Sequence, residues 1–275
     1  MLQDVYGFPV DLARTQDFGF LRNYGLPFRV WTRPESGQVC FGMESARYGR
    51  LLIRFAGAAL TGGPAPGTAV SLLRQAMPMY ETLYPHPALA KLQGHGPAAG
   101  GYAAIFRWPE GVCLRESDAQ RGLARQPLLT RLRMIDRLFD FHLFALERGY
   151  VPLGFSEESL VADFSAGSLL IRDIDRYRPL PAVSPERRLC AASRFMAPEE
   201  FIPGAPLDGL TAQYVMGAAA FFFFGAYGSR ERAAWSAGEA LFRAAERACR
   251  EKREKRYPGL IDFVTAWRDA AGKTM

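Results

Sequence analysis

The run from Val215 to Gly228, about fourteen residues with four consecutive phenylalanines at 221–224, sets the strongest limit on how this chain folds. It is apolar around its whole circumference as a helix, yet shorter than the ~20 residues that cross a bilayer. Such a helix needs protein on every side, so the chain must hold a large helical core around it. The length permits this: 275 residues make one large domain or two lobes. With 49% hydrophobic and 23% charged residues, a disordered or low-complexity chain is excluded.

Periodicity divides the sequence into two parts. Pro27–Thr32 and Gln38–Met43 read as strands around a turn at Glu35-Ser36-Gly37, and Leu51–Phe55 is a continuous apolar run suited to a buried strand. Gly57–Gly67 reads as a loop, and Thr68 as the N-cap of a helix carrying Val70, Leu72, Leu73, Met77 and Leu83. Pro78 falls inside that pattern and is expected to kink it or start a new turn. Ala88–Leu92 and Tyr102–Arg107 are further strand candidates.

After Pro127 the period changes. Leu128, Leu132, Ile135, Leu138, Phe139, His142, Leu143 and Leu146 form a helical stripe ending at Gly149. The runs 159–164 and 168–174 flank Ser165-Ala166-Gly167 and read as a hairpin. The remainder reads as helical, broken at Pro203–Pro206 and Tyr257–Gly259. A strand-rich first lobe (residues 1–108) and a helical second lobe (109–275) are the predicted domains.

Thirty-four Lys and Arg against 28 Asp and Glu give a net charge of +6, favouring anionic partners without naming one. Cys40, Cys113, Cys190 and Cys249 are scattered, and His86, His95 and His142 share no useful spacing, so neither a zinc site nor a catalytic triad is expected. The first 30 residues carry charges throughout and do not read as a signal peptide, so a reduced, cytoplasmic chain with no transmembrane segment is expected. The segment 243–256 carries seven cations interleaved with Glu246, Glu251 and Glu254, the pattern of a solvated, salt-bridged helix face. It lacks interleaved aromatics, which argues against nucleic acid.

Arg194-Phe195-Met196-Ala197-Pro198-Glu199 contains the A-P-E tripeptide, and it follows Asp173-Ile174-Asp175 by a short segment. Upstream, Pro152–Ser159 accepts the template H-R-D-L-x-x-x-N, and apolar Leu160 and Val161 follow. Gly217 lies within the apolar helix. In this order the chain resembles the eukaryotic-type (bacterial serine/threonine) protein kinases, as a degenerate member. The resemblance implies an α+β, bilobal fold: a small antiparallel β-sheet N-lobe, a mainly helical C-lobe, and ATP with Mg²⁺ or Mn²⁺ in the cleft between them.

The resemblance also implies a role for each matched position. Asp173 takes the metal-binding place of D-F-G, with Asp175 in place of the glycine, and Ser159 takes the place of the metal-binding asparagine. Arg54 stands where V-A-I-K has its phosphate-gripping lysine, and Glu81 is the only helix acid available to pair with it. Gly37 and Gly42 are what remains of the Gly-rich loop. Gly154 occupies the place of the catalytic aspartate, and loss of a positioned general base costs roughly 100- to 10,000-fold in rate. The expected function is therefore a pseudokinase, regulatory or scaffolding, acting through a protein partner. Two alternatives stay open. One is an active serine/threonine kinase using Glu157 or Glu158 in place of the missing base; the other is a small-molecule, aminoglycoside-type phosphotransferase.

Overall fold

A computed structural model describes residues 1–185 and 193–273. Cys190 lies outside them. The chain divides into two compact units, residues 1–85 with 90–109 and residues 86–89 with 110–273, each built on its own core.

The first unit opens with a hairpin of β1 (Leu2–Val5) and β2 (Phe8–Asp11). Its main sheet holds β3 (Leu26–Arg33), β4 (Gln38–Ser45), β5 (Gly49–Ala56), β6 (Leu92–Ala98) and β7 (Gly101–Arg107), all antiparallel in the order β3-β4-β5-β7-β6. Side chains alternate across a strand, and both faces of this sheet are covered, so β5 has no polar alternation to display. Leu51, Ile53 and Phe55 join Val39, Phe41 and Met43 of β4 in a core closed by Phe18 and Leu21 of the N-terminal segment. On the opposite face α1 (Pro66–Leu83) packs, with the Tyr80 ring 5.1 Å from that of Phe106 on β7.

Two expectations for this unit change. The helix begins at Pro66, because a proline at the first helical positions gives up an N–H that would be unpaired anyway, and it runs unbroken through Pro78. The strand expected at Ala88–Leu92 instead starts at Leu92 and continues through Gly94, Gly96 and Pro97. As the edge strand of the sheet, β6 tolerates residues that a central strand would not.

The second unit contains α2 (Ser117–Ala124), α3 (Leu128–Glu147), α4 (Gly209–Phe224), α5 (Glu239–Ala248) and α6 (Leu260–Gly272). Helix α4 is the phenylalanine-rich segment, buried at every position from Thr211 to Phe224. Phe224 and Phe221 meet Trp235 at 5.5 and 5.2 Å, and Phe139 of α3 meets Phe263 and Trp267 of α6 at 5.3 and 5.4 Å. Among the described residues no helix is long and apolar enough to cross a membrane.

Short strands complete this unit. β8 (Val112–Cys113), β10 (Leu160–Asp163) and β11 (Ser168–Ile171) form one sheet in the order β11-β10-β8. β9 (Tyr150–Val151) pairs with β12 (Arg178–Pro179), and β13 (Ala182–Val183) pairs with β14 (Pro206–Leu207). The expected hairpin is present, with Asp163 opposite Ser168. Its turn is held by Asp163 Oδ1, which accepts the Ser165 and Ala166 N–H groups at 3.0 and 3.1 Å.

Candidate functional site

The segment Pro152–Ser159 runs from β9 into β10, and the β10–β11 hairpin then delivers Asp173 two residues beyond its end. Gly154 sits at φ +60°, in the left-handed region that favours glycine. Its N–H donates to Glu200 Oε2 at 2.7 Å, and the other oxygen of that carboxylate accepts the Ala197 N–H, also at 2.7 Å. Glu200 is only 3% exposed. An acid therefore does reach the backbone at position 154, yet it is enclosed by protein and both of its oxygens hold amides.

Burial pushes the Glu200 carboxyl up to about 7, against the pull of the Gly154 and Ala197 N–H groups, and neighbouring Glu199 adds to the rise. Glu199 shifts the other way. Burial opposes its charge, but Arg256 and Thr211 hold it below the usual carboxylate range. The Arg256 guanidinium, with no exposed side-chain surface, binds both Glu199 oxygens at 2.7 and 2.9 Å. Arg253 adds a contact to Glu199 Oε1 at 2.6 Å and reaches Asp208. The expectation that residues 243–256 form one solvated helix face is thus corrected at two positions. The helix ends at Ala248, and Arg253 and Arg256 turn back into the protein.

The acids expected as alternative catalytic bases, Glu157 and Glu158, are both engaged by arginines. Glu157 lies 3.3 Å from Arg194 Nε. Glu158 accepts from Arg115 at 3.0 Å and lies 3.9 Å from Arg172. Ser159 is buried, and its carbonyl accepts the Arg172 N–H at 2.9 Å. Asp173 is partly exposed, and its Oδ1 accepts the Asp175 N–H at 3.0 Å, which brings these two acids together. Oxygen ligands from one or two carboxylates, completed by phosphate and water, are what Mg²⁺ takes, so Asp173 and Asp175 fit the ion in kind. Among the described residues no three His, Cys, Asp or Glu side chains gather to form a cage for a metal.

In the first unit, Arg54 is 2% exposed, donates from Nε to Gln38 Oε1 at 2.9 Å, and donates from Nη1 to the Tyr80 hydroxyl at 3.1 Å. Glu81 contacts His95 Nε2 at 2.9 Å and is largely exposed. Gly37 and Gly42 both have packing reasons. A Cβ at Gly37 would lie 2.6 Å from that of Ala69, and one at Gly42 would lie 2.7 Å from the Phe28 ring.

The three histidines are structural. His86 contacts Asp140 at 3.4 Å, and His95 lies between Glu81 and Tyr102. His142 is buried, with Nδ1 2.8 Å from the Leu138 carbonyl and Nε2 2.6 Å from the Tyr177 hydroxyl. Burial lowers its pKa to about 4, so the ring is neutral, with Nδ1–H donating and Nε2 accepting. Reading the residues in order missed Glu200 and the Glu199–Arg256 pair. The adjacent acids after A-P are visible in the sequence, but nothing local says that both turn inward.

The chain matches no family model and no curated protein. Solved structures do match. A variant of the PknI kinase domain from Mycobacterium tuberculosis superposes with a TM-score of 0.60 at 17% identity, covering 90% of this chain and 95% of that one. A double mutant of the same domain gives 0.64 at 16% identity, covering 90% and 96%. The apo form of PpkA-294 gives 0.68 at 14% identity, covering 88% and 95%. With its antiparallel sheet unit and its helical unit in this order, the chain has the fold of a protein kinase domain.

Proposed function

We propose that this kinase-fold protein is a pseudokinase, a regulatory or scaffolding partner of another protein that transfers phosphate poorly or not at all. One observation carries the reading. At residue 154, between β9 and β10, there is a glycine whose left-handed backbone is pinned by the buried Glu200. A hydroxyl awaiting deprotonation needs a carboxylate within hydrogen-bond reach, and Glu200 is enclosed with both oxygens occupied. Glu157 and Glu158 are held by arginines, which occupy their carboxylates.

Nucleotide binding is a separate question from transfer. ATP with Mg²⁺ is the ligand that the fold brings to mind, and Asp173, assisted by Asp175, would be the metal-binding pair. Phosphoryl transfer depends on positioning and charge neutralisation, so a metal site without a base supports binding far better than turnover.

The test has two parts. Thermal unfolding is followed with ATP alone, and with ATP plus Mg²⁺ or Mn²⁺; a ligand that binds only the folded state raises Tm. A metal-dependent rise that disappears in Asp173→Ala supports nucleotide binding at this site. Labelled-phosphate transfer to a generic protein acceptor is then measured. Steady transfer by the natural chain, abolished in Asp173→Ala, would show the pseudokinase reading to be wrong.

A further inference from the structure

The C-terminal end of α5 and the loop after it enclose a surface cavity of about 410 Å³ against the end of α4. Its lining includes Phe221 and Cys249, both buried, together with the cations Arg230, Arg250, Lys252 and Lys255. Burial pushes the Cys249 thiol up to about 12, so that sulfur is neutral and adds no charge beside the cations.

Partners decide which of the nearby cations are available. Within 243–256, Arg243 pairs with Glu239 and Arg250 with Glu246, while Arg253 and Arg256 bind Glu199. Arg247 lies over the Tyr257 ring at 4.2 Å. Lys252 and Lys255 are exposed and meet no carboxylate among the described residues. Arg230 reaches only uncharged groups there: the Tyr214 hydroxyl at 2.9 Å, the Arg194 carbonyl at 3.5 Å, and the Tyr214 and Phe221 rings at 5.2 and 5.9 Å. Three cations without a counter-charge therefore ring one cavity, and Glu251 is the single unpaired acid among its lining residues.

We infer that this cavity docks an acidic peptide segment of a partner protein, with its carboxylates on Arg230, Lys252 and Lys255. Three cations without a counter-charge along one cavity match a ligand that carries several carboxylates within a few residues. A nucleic-acid strand fits less well, since it needs exposed aromatics for its bases, and Phe221 is 2% exposed. The inference rests on reading the chain as an interaction protein. It is tested by binding alone, so a result in the phosphate-transfer assay leaves it standing or falling on its own.

The probe is a fluorescein-labelled peptide of alternating Asp and Glu around one central Leu, titrated with the full chain and read by fluorescence anisotropy. Its Asn/Gln counterpart serves as the uncharged control. The acidic peptide is expected to bind, more weakly at about 200 mM than at about 50 mM salt. The double variant Lys252→Glu/Lys255→Glu is expected to weaken binding about tenfold or more, and Arg230→Gln severalfold. Lys91→Glu/Arg107→Glu, an equal charge change at exposed sites of the first unit, should leave binding within about twofold. No binding of the acidic peptide up to about 0.1 mM protein would overturn the inference, as would equal binding of the uncharged peptide. Equal weakening by the first-unit variant would reduce the effect to net charge. Displacement by a single-stranded oligonucleotide of matched charge at lower concentration than unlabelled peptide would assign the surface to nucleic acid instead.

Discussion

Glu200 Oε2 accepts the Gly154 N–H at 2.7 Å, so one buried carboxylate ties the β9–β10 segment to the turn that holds Ala197. With a folded pKa near 7 against an ordinary 4.5, the folded chain keeps a proton that the unfolded chain releases between those values. This contribution is therefore full below about pH 4.5, shrinks as pH rises, and is gone above about 7. His142 acts in the opposite sense. Its folded pKa near 4 lies below the ordinary 6.5, so its contribution is full above 6.5 and is lost as pH falls toward 4. Across pH 5–6.5 the two slopes offset. Glu200→Gln removes one of them, and urea denaturation at pH 5, 6, 7 and 8 should then show stability falling toward acid more steeply than in the natural chain.

Tyr177→Phe leaves His142 Nε2 buried without its donor. An unpaired buried acceptor costs about 1–3 kcal/mol, and the variant should lose that much by chemical denaturation at pH 8.

The Glu199–Arg256 pair is buried on both sides, so the two single substitutions should differ. Glu199→Gln strands Arg256, whose side chain is wholly enclosed, and should cost about 3–5 kcal/mol. Arg256→Met should cost less, because Arg253 stays 2.6 Å from the Glu199 carboxylate. Midpoints in urea, compared at equal slope, give the order directly.

Gly154→Ala puts a Cβ on a left-handed backbone, at a cost of about 1–2 kcal/mol. If position 154 takes no part in chemistry, any trace of phosphate transfer per folded molecule should be unchanged. The checks are a denaturation curve and a transfer assay normalised to folded protein. Gly154→Asp meets the same left-handed backbone, and on the proposed reading it should not by itself confer rapid transfer.

The sequence by itself determined the elements whose signal is local. Helix α4 is legible because an all-apolar run of that length can only be a buried helix, and β5 because its run is too short and too apolar for anything but an enclosed strand. The β10–β11 hairpin follows from Ser165-Ala166-Gly167, and α3 from its stripe and Gly149.

Tertiary structure alone decided what the charges do. Seven cations between 243 and 256 look alike in one dimension, yet Arg256 is enclosed against Glu199 while Lys252 and Lys255 face solvent beside a cavity. Glu199 and Glu200 are identical neighbours, and their carboxyls shift in opposite directions because one meets guanidinium groups and the other meets backbone amides in a dry setting. An ionisable side chain takes its free energy from partners 46 to 57 residues away in the chain, and only the folded backbone brings those partners within hydrogen-bond distance.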